Sequence, residues 1–253
     1  MTQAPSSGGE KTSRGHWDAG WTAMPTDRFW SPFDPTISDV NRLLAREIAP
    51  GTSLLEIGFA PGKMLAWAAL ERGARVSGID YSGPGVALAK AYFARRGIEG
   101  DLRHEDIFET SFAPGSFDCV MSHGLVEHFD DPRAIVAKHV ALARPGGKII
   151  LSVPNYGGLY GRLQGRLHPE NLAIHNLSIM SPEGMKALFP AGGMASVRAF
   201  LCGRPTLWGL AIETRMPAAL ARQLKRAVGL AGWLLPLSPA ALKPIVIAIG
   251  IKE

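Results

Sequence analysis

Four carboxylates occur at positions that suit a bound ligand better than a core. Glu56 lies in the run Leu54-Leu55-Glu56-Ile57-Gly58-Phe59-Ala60-Pro61-Gly62-Lys63, which passes from apolar residues into small ones. Small residues at such a turn let the backbone approach a ligand closely, and a helix starting there offers free N–H donors. Eighteen residues past Gly62, the apolar run Val76-Ser77-Gly78-Ile79 ends in Asp80. A carboxylate at a strand end can accept both hydroxyls of a ribose. Glu105, Asp106 and Ile107 close the next apolar segment and offer an acid and an apolar residue, suited to the edge and face of an adenine. A dinucleotide site would use Asp80 too, but its fingerprint wants glycine at 58, 60 and 63, where this chain has Gly58, Ala60 and Lys63. The tighter Gly58-x-Ala60-x-Gly62 spacing suits a ligand without a pyrophosphate.

A second group of residues could act on a bound molecule. His128, in Val126-Glu127-His128-Phe129-Asp130-Asp131, is a candidate general base or pocket residue, because imidazole titrates near neutrality. His123 is read as lining the ligand rather than as a base. Tyr156, Tyr160, His168 and His175 fall in the Gly-rich stretch 155–180, where loops cover ligands in open α/β sheets, so they are lid candidates. Tyr156, Tyr160 and His175 are the expected substrate contacts. Trp17, Trp21 and Trp30 could cover the site from the other side or serve as packing anchors. Cys119, expected mid-strand, and Cys202 read as inert thiols.

These residues need a scaffold, and the hydrophobic periodicity supplies one. Strands are expected at 53–58, 75–79, 101–107, 117–122, 148–153, 195–201 and 244–252. Helices are expected at 37–49, 61–72, 84–96, 131–143 and 181–188. Strands alternating with helices imply crossovers and a parallel sheet, and the apolar strands imply that both faces are covered. The expectation is a doubly wound, Rossmann-like α/β sheet, mostly parallel, with an antiparallel final strand and a helical cap. A polar tail over 1–15 would precede a single domain, 16–253, with its core at 36–204. The cap, about 205–243, would be inserted before the last strand at 244–252.

The ordered set Glu56-x-Gly58-x-Ala60-x-Gly62, Asp80, Glu105-Asp106 and the segment 117–131 (FDCVMSHGLVEHFDD), with the 142–147 turn (LARPGG), resembles the class I S-adenosylmethionine-dependent methyltransferases. Within them it is most similar to the small-molecule enzymes typified by the ubiquinone and menaquinone methyltransferases. The resemblance spans roughly residues 36–200, and Ala60 departs from its usual middle glycine. It implies S-adenosylmethionine as cofactor, with Glu56, Gly58, Ala60 and Gly62 at the methionine end. It implies Asp80 on the ribose, Tyr81 beside the adenine, Asp106 and Ile107 on the adenine, Ser122 and His123 at the lip of the fourth strand, and Ser82 and Glu105 among the cofactor contacts. Some ubiquinone-pathway O-methyltransferases show Glu-x-x-Glu-His here and use a divalent metal. This chain has Gly124 in place of the first Glu, leaving Glu127-His128, and two ligands are too few. No required metal is expected.

The expected reaction is methyl transfer to an oxygen by in-line displacement, with His128 as the catalytic candidate. A nitrogen or carbon acceptor, or a non-catalytic cofactor-binding partner, is the rival reading, and an NAD-linked oxidoreductase is disfavoured by Ala60 and Lys63. The amino-methylating Asn/Asp-Pro-Pro-aromatic turn is replaced by Ser122-His123-Gly124-Leu125, so nucleic acid is not the expected substrate.

Charge places a further constraint. The 253 residues carry a net +5, with 46% hydrophobic and 19% charged residues, which supports a globular core. Residues 209–253 hold six of the basic residues against Glu213 and Glu253, so most of the excess sits in an apolar C-terminal segment. A nucleic-acid enzyme would show its basic face on the body. Arg222, Lys225 and Arg226 beside Leu224, Val228, Leu230, Trp233 and Leu234 suggest three uses for 209–243: a lid over a small or lipid-like substrate, contact with an anionic membrane, or a homodimer contact. Two cysteines and the polar N-terminus point to a cytoplasmic protein, with membrane association through the cap as the alternative.

Overall fold

Ser53–Ile57 (β1) is continuous in hydrophobicity because both of its faces are covered: Leu54 enters the core on one side of the sheet, and Leu55 and Ile57 the other. The same logic builds Phe117–His123 (β4), Ile245–Lys252 (β7) and the inner parts of Arg75–Asp80 (β2) and Ala143–Pro154 (β5), while the edge strands Asp101–His104 (β3) and Met194–Cys202 (β6) are covered only in part. The computed structural model describes residues 9–24, 35–207, 209–234 and 239–253. Its seven strands run in the order β3-β2-β1-β4-β5-β7-β6, with β1 to β5 parallel and β7 antiparallel to both of its neighbours. The order reverses between β1 and β4, and ligands bind outside the carboxyl ends of strands at such a switch point.

The helices are Arg14–Ala23 (α1), Pro35–Glu47 (α2), Lys63–Arg72 (α3), Gly83–Arg96 (α4), Pro132–Leu142 (α5), Leu159–Leu167 (α6), Pro169–Ala173 (α7), Pro182–Lys186 (α8) and Ala218–Leu234 (α9). Their ends follow local chemistry. Ser82 caps α4 by accepting the Gly85 N–H, and Asp131 caps α5 by accepting the Arg133 N–H. Val40 and Leu44 of α2, Leu65 of α3 and Phe93 of α4 pack on one face of the sheet. Ile135 and Val136 of α5 and Met185 of α8 pack on the other. Burying each such side chain contributes about 1.5–3 kcal/mol.

Four expectations change. The third strand stops at His104, not 107, because the Asp106 side chain accepts the Phe108 N–H and starts a single 3-10 turn at Ile107. The fifth strand starts at Ala143, which pairs with Phe117 before the register shifts. The stretch 155–180 contains α6 and α7. Residues 9–15 are not a loose tail: Glu10 pairs with Phe129, Thr12 is buried and α1 begins at Arg14. Residues 1–8 and Trp30 lie outside the described residues.

The segment after β6 carries α9 and docks on α6 and α2. Tyr160 donates its hydroxyl hydrogen to the Leu242 carbonyl at 3.1 Å and accepts the Thr206 N–H, while Leu210, Ile212 and Ala221 bury beside it. Arg204 pairs with Asp39 of α2 at 3.0 Å. Only a narrow stripe of α9 faces inward; Leu220, Leu224, Leu230 and Leu234 are 53%, 39%, 65% and 77% exposed. Among the described residues, no helix is long and apolar enough to cross a membrane.

Candidate active site

The carboxyl ends of β1, β2 and β4 and the turn after β3 surround a cavity of about 260 Å³. Two glycines make its floor possible. Gly58 has φ +69 and lies so close to Leu125 that a Cβ would approach that side chain to 3.0 Å. Gly62 has φ +86, caps α3 in the left-handed region and is crowded by Ala89 and Phe93 of α4. Both conformations are ones that residues with a Cβ rarely adopt.

Each carboxylate has a distinct environment. Glu56 is buried, which pushes its pKa well above the usual carboxylate range, while the Leu65 N–H donates to it and the charge of Asp80 acts in the same direction as burial. Its Oε2 has no hydrogen-bond partner in the structure. Asp80 accepts the Ala60 N–H at 3.0 Å through Oδ2 and the Ser82 N–H at 2.9 Å through Oδ1, tying the β1 turn to the start of α4. Burial raises its pKa, and these two bonds work against the rise. Glu105 loses some solvation, yet the Ser111 hydroxyl at 2.5 Å and the Ser111 N–H at 3.0 Å outweigh this and lower its pKa.

Glu56, Gly58, Ala60, Asp80, Tyr81, Glu105, Asp106, Ile107, His123 and His128 all line the cavity, which brings most of the sequence-derived set together. Gly62, Ser82 and Ser122 are not among its lining residues. Gly62 shapes the turn, Ser82 caps α4, and Ser122 is buried in β4. Tyr156, Tyr160 and His175 are absent from the lining too. Tyr160 is spent on the cap, and Tyr156 donates to the Gly209 carbonyl at 3.0 Å. His175 packs behind His128, with ring centroids 4.6 Å apart. Among the described residues, none of 209–234 or 239–243 lines the cavity.

The covering comes from the N-terminal segment. Trp17, Trp21, Glu10 and Thr12 line the cavity. The Trp17 indole N–H donates to Thr12 Oγ1 at 2.9 Å, the two tryptophan rings stack at 6.2 Å, and Trp17 meets His128 edge-on at 5.0 Å. The segment is fastened on both sides. Ser82 donates to Asp18 at 2.5 Å, the Lys11 N–H donates to the His128 carbonyl at 2.8 Å, and Lys11 pairs with Asp130 at 3.0 Å. Lys63 also lines the cavity, and burial brings its pKa down to about 8. Glu10, Thr12 and Lys63 carried no signal in the sequence.

On the β4 side, His128 Nδ1 lies 2.9 Å from the Ile174 carbonyl, which can only accept, so Nδ1 carries the hydrogen and Nε2 a lone pair. Burial and the neighbouring His175 bring the His128 pKa down to about 3. His123, bonded to Ser152 Oγ at 2.6 Å, is brought down to about 4 by burial. Cys119 is buried in β4, and burial pushes its thiol up to about 12, consistent with an inert residue.

A family model described as a methyltransferase domain matches residues 55–151, the segment that holds β1 to β5 and most of the cavity wall. That segment is similar to methyltransferase domains, and the sheet around it has the fold of the solved methyltransferase compared below. The cofactor that this similarity implies is S-adenosylmethionine. The chain is 33% identical over 112 residues to a ubiquinone biosynthesis O-methyltransferase of Xanthomonas campestris pv. campestris, covering 44% of this chain and 46% of that protein. It is 33% identical over 139 residues to the protein of that name from Pseudomonas aeruginosa, covering 51% and 58%. The chain thus spans about half the length of the curated relatives it matches. A solved structure of Haemonchus contortus phosphoethanolamine N-methyltransferase 2 with S-adenosyl-L-methionine shares the fold, with a TM-score of 0.62 at 21% identity, covering 94% of this chain and 58% of that one.

Residues 55–151 fit that cofactor on their own chemistry. The orphaned Oε2 of Glu56 is a buried acceptor on the cavity wall, suited to the cofactor's ammonium group. Asp80 supplies carboxylate oxygens with lone pairs left after two backbone bonds, and Ile107 an apolar surface.

Proposed function

We propose that the chain transfers the methyl group of S-adenosylmethionine to an oxygen of a small-molecule, sugar or lipid-like acceptor, releasing S-adenosylhomocysteine. The observation that carries this reading is the single cavity in which Glu56, Asp80 and Asp106 share a wall with the imidazole of His128. Glu56 would accept from the ammonium of the cofactor, Asp80 from its ribose hydroxyls, and Asp106 with Ile107 would hold the adenine. The O-methyltransferase names of the relatives support oxygen over nitrogen or carbon.

The sulfonium methyl group is already activated, so the protein's main task is to hold the acceptor in line with it. His128 lines the cavity on the side toward β4, with its lone pair on Nε2. An imidazole that titrates near 3 is a weak base at neutral pH, so the expectation of a near-neutral base at His128 gives way to one of orienting the acceptor. Incubation with S-adenosylmethionine and a panel of phenols, alcohols and amines, read by mass spectrometry, tests the reading. A product one methyl group heavier is expected from a hydroxyl compound. Methylation of amines alone would refute the oxygen assignment, and cofactor binding without turnover on any of them would favour the non-catalytic rival.

The exposed leucine stripe of α9 favours one second reading. Leu220, Leu224, Leu230 and Leu234 face outward while Arg222 and Arg226 are exposed on the same helix, the arrangement of a helix lying on an anionic lipid surface. We favour this contact over a substrate lid, because none of the described residues of the cap lines the cavity.

A further inference from the structure

The lysine on the cavity wall stands where helix electrostatics disfavour it. Lys63 is the first residue of α3, and the first amides of a helix leave that end with a partial positive charge. A cation is better placed at the other end. The cap residue Gly62 supplies no side-chain hydrogen bond, and the first turn of α3 holds no acid. Lys63 is also half-buried, and burial brings its ammonium pKa down to about 8. Helical side chains lean toward the N-terminus of their helix, and Gly58, Ala60 and Pro61 of the turn below α3 line the cavity, as Lys63 itself does. A local rule broken at a cavity wall points to a ligand.

The charges around it say what kind. Among the described residues that line the cavity, Lys63 is the one lysine or arginine, against five acids: Glu10, Glu56, Asp80, Glu105 and Asp106. His123 and His128, brought down to about 4 and about 3, carry no charge at neutral pH. One of the acids belongs to the same helix end. The Leu65 N–H, two residues past Lys63, donates to Glu56, whose Oε2 is buried without a hydrogen-bond partner. A single turn of helix thus holds a buried acceptor that calls for a cation, and a lysine with free-ended amides that call for an anion. A ligand group with an ammonium and a carboxylate on one carbon answers both.

We propose that Lys63, with the first amides of α3, binds the carboxylate of the cofactor's methionine moiety, so that this chain selects its cofactor by the complete amino-acid end. This assignment rests on the S-adenosylmethionine reading of the cavity and adds the residue that meets the cofactor's one anionic group. The two contacts support each other. The carboxylate favours the charged form of Lys63 that burial disfavours, and the ammonium does the same for the ionised form of Glu56. A ligand lacking the carboxylate leaves the lysine desolvated without a counter-charge. A carboxylate on the methyl acceptor would offer Lys63 the same chemistry, and the choice of ligands tells the two sources apart.

The test is calorimetric titration of the full chain, without acceptor, with S-adenosylhomocysteine and with its decarboxylated analogue, which keeps the nucleoside and the ammonium. The wild type should bind S-adenosylhomocysteine roughly 10- to 100-fold more tightly than the analogue, the range for loss of a charge-assisted hydrogen bond. Lys63→Met should lose that preference while its affinity for the analogue stays close to that of the wild type, which also shows that the variant is folded. Lys63→Arg keeps the charge and should retain most of the preference. A Lys63→Met protein with the wild-type preference would overturn the assignment, and is the result expected if the lysine serves an acceptor's carboxylate instead. Equal binding of both ligands by the wild type, a comparison that needs no variant, would overturn it as well and leave the nucleoside site standing. Binding of neither ligand by the wild type would sink the cofactor reading itself, and the role of Lys63 with it.

Discussion

Replacing Asp80 with alanine tests the cofactor site most directly. The carboxylate holds the Ala60 and Ser82 N–H groups, at 3.0 and 2.9 Å. Leaving a buried donor unpaired costs about 1–3 kcal/mol, so the variant should lose stability of that order for each amide that water does not reach. Its effect on the cofactor is separate. Loss of a charge-assisted bond to the ribose is worth about 1.5–3 kcal/mol, which corresponds to an increase of roughly 10- to 150-fold in the Kd for S-adenosylhomocysteine. Calorimetric titration well below the melting temperature, with a thermal melt of each protein alongside, keeps the two effects apart. The pH dependence gives a second check. Burial raises the Asp80 pKa above its ordinary 3.8, and the ribose needs the ionised form. Affinity should therefore fall as pH is lowered, starting above the ordinary carboxylate range, and the alanine variant should lack the Asp80 contribution to that fall. A variant that binds S-adenosylhomocysteine as tightly as the wild type would refute the ribose assignment.

Three further outcomes follow from the geometry. Trp21→Ala should weaken S-adenosylhomocysteine binding while leaving the melting temperature nearly unchanged, because the residue lines the cavity and is only half-buried; an unchanged Kd would mean that α1 does not contact the cofactor. Asp118, bonded to Arg144 and Ser53, has its pKa lowered to about 2, so its stabilising contribution should be present above about pH 4 and lost as pH falls toward 2. Because the pair is partly exposed, Asp118→Asn should cost at most about 1 kcal/mol at neutral pH, and equal melting curves for both proteins from pH 7 to pH 2 would contradict the assignment. For α9, co-sedimentation with anionic vesicles should exceed that with neutral ones, and changing Arg222 and Arg226 to Glu should abolish it, at about 1 kcal/mol per basic residue; equal binding to both vesicle types would refute the contact.

The sheet was legible because each strand end coincides with a change of chemistry: Gly58 after β1, Asp80 closing β2 and His123 closing β4. The cofactor wall was legible for the same reason, since strand ends at a switch point must converge. What escaped was long-range. The placement of Glu10 and Thr12 beside the cavity depends on residues 9–24 crossing to Phe129 and Ser82, and no local pattern announces that. Tyr160 and Tyr156 were misplaced because a loop after β5 can turn toward the ligand or toward the cap, and the buried cluster with Leu210 and Ile212 decides it. His175 shows the converse: its one-dimensional distance from His128 hid a ring contact of 4.6 Å.

The attachment of the N-terminal segment bears on the timing of turnover. Its two anchor points lie on opposite sides of the cavity, one at Ser82 and the other along residues 128–130. Under the proposed methyl transfer, a spent cofactor beneath such a clasp would leave only as often as the anchors release together. Weakening one anchor, as Asp18→Ala would, should then hasten product exchange more than it alters the equilibrium for binding. Evolution could thus tune product inhibition in this chain through surface residues such as Lys11 and Asp130, without touching a group that meets the methyl donor.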